Sequence, residues 1–122
     1  PVYDQAGAYV VGPLRLYNEY DGTFEDEDTS LAAARALGDA KWALLANHGS
    51  LVVGRDLRQA HLRAITLEWR SMRAYEAELA GGGVPLTEEQ VAAIARPDAH
   101  GFPFLWEAMA RRELRADPGI LD

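Results

Sequence analysis

Three histidines, at positions 48, 61 and 100, and no cysteine define the metal and proton chemistry open to this chain. An imidazole can bind a divalent metal or move a proton near neutral pH. His48 has the most distinctive setting, "ALLANHGSLVVG" at residues 43–54, between two apolar runs and beside a glycine that lets backbone approach closely. A catalytic zinc needs about three protein ligands, so His48 alone is not a metal site, and the chain has no HxH or HExxH pair. His61 lies seven residues before Glu68, a spacing that puts both on one side of a helix and suits a hydrogen-bonded pair if that side is buried. His100 stands in a proline-bounded loop, where an exposed ring is expected. Tyr17 and Tyr20 flank Asn18-Glu19; a phenol can donate or accept a proton beside a metal, and either tyrosine can equally be a packing residue. Trp42, Trp69 and Trp106 are read as packing residues.

Composition removes several classes. Without cysteine there is no disulfide staple, thiolate nucleophile or Cys-based zinc site. Twelve Lys plus Arg against nineteen Asp plus Glu give a formal net charge of -7, with no basic run, so nucleic acid is not an expected partner. "GxxxxGK" is absent, and Ser50 does not sit in a nucleophile elbow. The apolar runs are too short for a spanning helix, and the opening residues lack the order of a secretion signal, so a cytoplasmic protein is expected. The 122 residues, 48% hydrophobic, suit one modest domain with its own core. The opening "PVYDQAG" has nothing before it to cover "AYVVGPLRLY", which fits a chain cut from something longer as well as loss of an initiator Met.

The elements around His48 follow from pattern. "KWALLANHG" and "SLVVGRD" predict adjacent strands joined by a tight turn, with His48 at a strand end, where scaffolds commonly present functional side chains. "AYVVGPLRLY" is β-prone but broken at Gly12-Pro13, which predicts two short strands or a strand and a bend. After the acidic run Glu25 to Asp28, Ser30 is the predicted cap of a helix "LAAARALG" closed by Gly38. Asp56 to Leu79 predicts one long helix, capped at Asp56 and stopped by "AGGG". Leu57, His61, Ala64, Glu68, Met72, Tyr75 and Leu79 share one face, widened by Ala60 and Leu67, while Arg58, Arg63, Arg70, Arg73 and Glu76 are expected in solvent. Thr87, before Glu89 and Gln90, starts a short helix through about Ala95. "RPDAHGFPF" reads as a loop and "LWEAMARREL" as the last helix.

Together, "VYDQAGAY", "GPLRLYNEYDG", "LGDAKWALLANHGSLVVGRDLRQA" and "ITLEWRSMRAYEAEL" resemble the carboxy-terminal half of the class II aldolase/adducin-type domain. The final "FLWEAMARRELRADPGILD" is similar, less specifically, to the tail of its decarboxylase or hydroxy-ketoacid branch. The resemblance implies an α/β fold, a three-layer α/β/α sandwich around a largely antiparallel sheet. Residues 1–122 are then its carboxy-terminal half, completed by another chain or by a piece cleaved from one precursor, the whole unit assembling as a cyclic tetramer. It further implies a metal-dependent lyase, of aldolase or decarboxylase type, acting on a small hydroxycarbonyl or hydroxy-ketoacid through an enediolate or enolate.

In metal-dependent members the His of "NHG" is the last zinc-binding histidine, so by that match His48 is a ligand of Zn2+ or another divalent metal and Gly49 allows its close turn. The earlier ligands come as an HxH pair, with an acid/base Glu; neither is in this chain, so both are expected from outside it. Tyr17 or Tyr20 would then donate a proton or touch substrate. Glu68, with His61 and Asn47, would support the ligand region, and Asp4 and Gln5 match a recurrent segment of structural or interface character. The alternative is a non-catalytic association module like adducin, or an inactive fragment. A small binding domain outside this family would have to fold as a monomer.

Overall fold

The computed structural model describes residues 1–10, 12–18, 26–95 and 101–120; Tyr20 and His100 lie outside them. Among the described residues are strands β1 (Leu14–Tyr17), β2 (Trp42–Leu45) and β3 (Gly49–Val52), helices α1 (Glu27–Leu37), α2 (Leu57–Leu79), α3 (Glu88–Ile94) and α4 (Gly101–Ala116), and a 3-10 turn at Ala6–Ala8. The fold is mixed α/β. It divides into two compact units, Val11–Arg63 and Pro1–Val10 with Ala64–Asp122.

In the unit Val11–Arg63 the strand order is β1-β2-β3. β1 runs parallel to β2, with Leu14 opposite Trp42 and Tyr17 opposite Leu45; β3 returns antiparallel, with Val52 opposite Trp42. The described ladder is therefore half parallel, where a largely antiparallel sheet was expected. A parallel pair needs a crossover, and α1 lies within it. Side chains alternate across a strand, so Tyr17, Ala43, Leu45 and Leu51 share one face, packed with Ala32, Ala33, Ala36, Leu37 and Ala40 in two small buried clusters. The alanines keep α1 close to the sheet. The opposite face carries fully buried Trp42, together with Leu14, Leu16 and Leu44, which are 47%, 64% and 37% exposed. "AYVVGPLRLY" makes a single strand after a bend at Gly12.

Caps fix the helix starts in this unit. α1 begins at Asp26 rather than Ser30: one Asp26 oxygen accepts the Thr29 N–H at 2.7 Å and the other its hydroxyl at 2.8 Å. A carboxylate at a helix N-terminus also meets the positive end of the dipole, which leaves Ser30 inside the helix. Gly38, at φ 56, ends α1 in the left-handed region. Asp56 caps α2, accepting the Gln59 N–H at 2.7 Å, while Gln59 Oε1 accepts the Arg55 N–H at 3.0 Å. Gly54 lets β3 turn tightly into that cap, since a Cβ there would lie 2.5 Å from the Ala60 nitrogen. Leu57, expected on a buried face, is 75% exposed, and Arg63, expected in solvent, is partly buried and donates to the Val53 carbonyl.

In the other unit, residues 1–8 are strapped along the later turns of α2. Trp69 Nε1–H donates to Asp4 Oδ2 at 2.7 Å, and Asp4 Oδ1 accepts the Gly7 N–H at 2.7 Å. Tyr3 donates its hydroxyl to Glu78 at 2.7 Å, and the Leu86 N–H donates to the Val2 carbonyl at 2.7 Å. The structural role expected of Asp4 is thus present. The apolar stripe read from the sequence is buried only in part: Tyr75 and Leu79 are 66% and 69% exposed, whereas Leu67, expected to widen it, is buried, as is Thr66. Arg70, Arg73, Ala74 and Ala77 are half-buried. Alanines allow close approach, and arginine stems cover apolar surface while their heads stay charged, so neither registers in hydropathy. Burial disfavours the charged form of Arg70 and lowers its pKa. Arg73 stacks 4.4 Å over the Trp69 ring and pairs with Glu76 at 2.7 Å.

The Thr87 capping box of α3 forms as expected. α4 starts at Gly101, ahead of the predicted Leu105. Pro103 falls in its first turn, where the missing N–H has no intrahelical partner to lose. No helix among the described residues is long and apolar enough to cross a membrane.

Gly54→Ala drives a methyl into backbone and should destabilise the chain by about 1–3 kcal/mol in urea denaturation. Asp26 and Asp56 are held below the usual carboxylate range, first by the N–H groups of Thr29 and Gln59. These ionised caps stabilise the fold above the ordinary aspartate pKa, and the contribution is lost as pH falls through the lowered folded values. Exchange protection at Thr29 and Gln59 should therefore drop on acidification below about pH 4, and Asp56→Asn should abolish that pH response at Gln59 alone.

Candidate functional site at the His48 turn

β2 ends at Leu45, the chain reverses through residues 46–48, and β3 starts at Gly49. The reversal is pinned at both ends: the His48 N–H donates to the Leu45 carbonyl at 3.0 Å, and the Ala46 N–H donates to the Tyr17 carbonyl at 3.0 Å. Between them Asn47 adopts φ 58, the one non-glycine residue at positive φ among the described residues. Asparagine tolerates this conformation better than most side chains because its short amide can bond locally. His48 is exposed at the end of the turn, the position that the two apolar runs predicted.

The neighbours expected to assist it are arranged differently. Gly49 has no positive φ, and a Cβ there would meet nothing within 4 Å; the close turn belongs to Asn47, not to Gly49 as the resemblance implied. Tyr17 is only 6% exposed and packs with Ala33 and Leu45. Alternation along β1 puts its ring on the α1 side of the sheet, the place of a packing residue and not of a phenol offered to an exposed imidazole. His61 is half-buried on α2, whereas Glu68 is exposed and so does not form the buried partner expected of it. The left-handed residue was missed in the sequence although "ANHG" carried a signal, an asparagine inside a predicted turn.

Among the described residues no three His, Cys, Asp or Glu side chains come together as a group that could hold a metal ion. His48 can supply one nitrogen, and zinc needs about three protein ligands; these residues alone do not fit a complete metal centre.

The family model for the Class II Aldolase and Adducin N-terminal domain matches residues 1–75, more than half of the 122. The chain belongs to the class II aldolase and adducin family. No curated protein matches it. The matched span contains β1, α1, the β2–β3 hairpin with His48 at its turn, and most of α2, so the family assignment and the local geometry meet on the same segment.

Because Gly49 has neither a conformational nor a steric need for glycine, Gly49→Ala should leave thermal stability unchanged or raise it by up to about 1 kcal/mol through the unfolded state. A drop in melting temperature would return the turn-making role to Gly49.

Proposed function

We propose that this chain is one part of a metal-dependent lyase, of aldolase or decarboxylase type, that acts on a small hydroxycarbonyl or hydroxy-ketoacid. His48 serves as one metal ligand, and the HxH pair and acid/base Glu come from polypeptide outside these residues. That polypeptide is a companion chain or a piece cleaved from the same precursor, and the completed units assemble as a cyclic tetramer. The observation that carries the reading is the exposed His48, held on a pinned left-handed turn inside the segment that matches the family.

The apolar sheet face bearing Leu14, Leu16 and Leu44 supports a further layer of structure over the sheet, since such a surface gains by leaving water. A divalent metal held by His48 and ligands from the second polypeptide would supply Lewis acidity to adjacent substrate oxygens. His48 contributes a neutral imidazole nitrogen to that centre and is not the base. Its anchored backbone limits the freedom of the ring, and an exposed position leaves it accessible to ligands from a second polypeptide. The second reading is association without catalysis as in adducin, which needs no ligands beyond those of the described residues.

Metal analysis of the chain purified with its natural companion separates the two. Stoichiometric divalent metal is expected in the wild-type assembly, with affinity falling by more than about 100-fold in His48→Ala while the assembly stays folded. A folded assembly without metal would sink the lyase reading and leave association.

A further inference from the structure

We infer that Asn47 is a positioning residue for His48: its left-handed backbone, and neither its amide nor the following glycine, sets the direction in which the imidazole leaves the sheet. The functional consequence rests on His48 being a ligand; the geometric claim does not.

Three observations converge on this residue. The hydrogen bonds from Ala46 to Tyr17 and from His48 to Leu45 fix the chain on either side of it. The φ of 58 falls on Asn47, the residue directly before the ligand. Gly49, which could adopt any φ, has no positive φ and no crowding, so the conformational freedom of glycine is not what shapes the turn. Strained backbone of this kind persists where the surroundings over-determine it and concentrates at functional sites. A residue that disfavours the left-handed well would rotate the peptide joining it to His48. The Cα–Cβ direction of His48 would then change, while the tie from Ala46 to β1 would still hold the β1–β2 ladder.

The test compares Asn47→Gly and Asn47→Asp, which tolerate positive φ, with Asn47→Ala and Asn47→Val, which do not. Amide exchange is measured at His48, whose N–H bonds Leu45, and at Val53, whose N–H bonds Lys41 at the far end of the hairpin. The Gly and Asp variants should stay within about threefold of wild type at both positions, and the Ala and Val variants should lose at least about tenfold protection at His48 alone. Cobalt(II) alone, titrated into the assembled protein, should bind the Ala and Val variants about 10- to 100-fold more weakly and the Gly and Asp variants as the wild type.

Rescue by glycine with an undisturbed Val53 is the signature of positioning through the backbone. The inference is overturned if the Ala and Val variants behave as wild type, if Asn47→Gly fails as badly as they do, or if Val53 loses protection together with His48. Should Asn47→Val not fold, Asn47→Ala carries the same comparison. If the wild-type assembly binds no cobalt, the ligand reading fails, and exchange at His48 still decides the geometry.

Discussion

The Ala46 N–H to Tyr17 carbonyl hydrogen bond, at 3.0 Å, carries the parallel pairing of β1 and β2 one residue beyond β2, and the candidate site hangs from it. A parallel pair cannot be closed by a short hairpin, so the chain crosses over through α1 and returns in register beside β1. Only then does β2 end with its final turn anchored to a neighbouring strand. The reversal into β3 has to be made at once, within residues 46–48, and the left-handed Asn47 completes it. His48 takes its place at the end of the turn from this sequence of backbone constraints.

The same pairing divides the sheet into unlike faces. Tyr17, Ala43, Leu45 and Leu51 meet the alanine-rich side of α1 in a small core, whereas the other face leaves three leucines substantially exposed. The residue pair that might have worked together, a tyrosine on β1 and a histidine beyond β2, is thereby separated in role: the ring of Tyr17 joins the core, and His48 stays in solvent. The first residues of the chain are governed by a different principle. They are held on α2 by directed hydrogen bonds, Trp69 to Asp4 and Tyr3 to Glu78.

Much of this was legible in residue order. The strand-turn-strand around "NHG", the limits of α2 with its Asp56 cap, the Gly38 stop and the Thr87 capping box all match the structure. Each depends on neighbours a few residues away. The start of α1 was misplaced because Asp26 and Ser30 are both competent caps and only the hydrogen bonds to Thr29 choose between them. The late start assigned to α4 came from reading "RPDAHGFPF" as a loop, whereas Pro103 occupies the first turn of the helix.

Period, capping and turn composition are short-range properties, so residue order alone specified where the elements lie, that His48 stands at a strand end, and that no second and third histidine accompany it in a local motif. Three matters waited for the fold. Hydropathy favoured Leu57, Met72, Tyr75 and Leu79 for burial, yet these four are exposed, while Leu62, Thr66 and Leu67 are buried and Arg70, Arg73, Ala74 and Ala77 half-buried. Alternation could not say which sheet face α1 would cover, and hence that Tyr17 is a core residue. Glycine seemed the natural residue for the turn, and Asn47 took the positive φ instead. In each case the outcome depends on contacts or backbone closure between segments distant in sequence, and those free energies have no counterpart in local pattern.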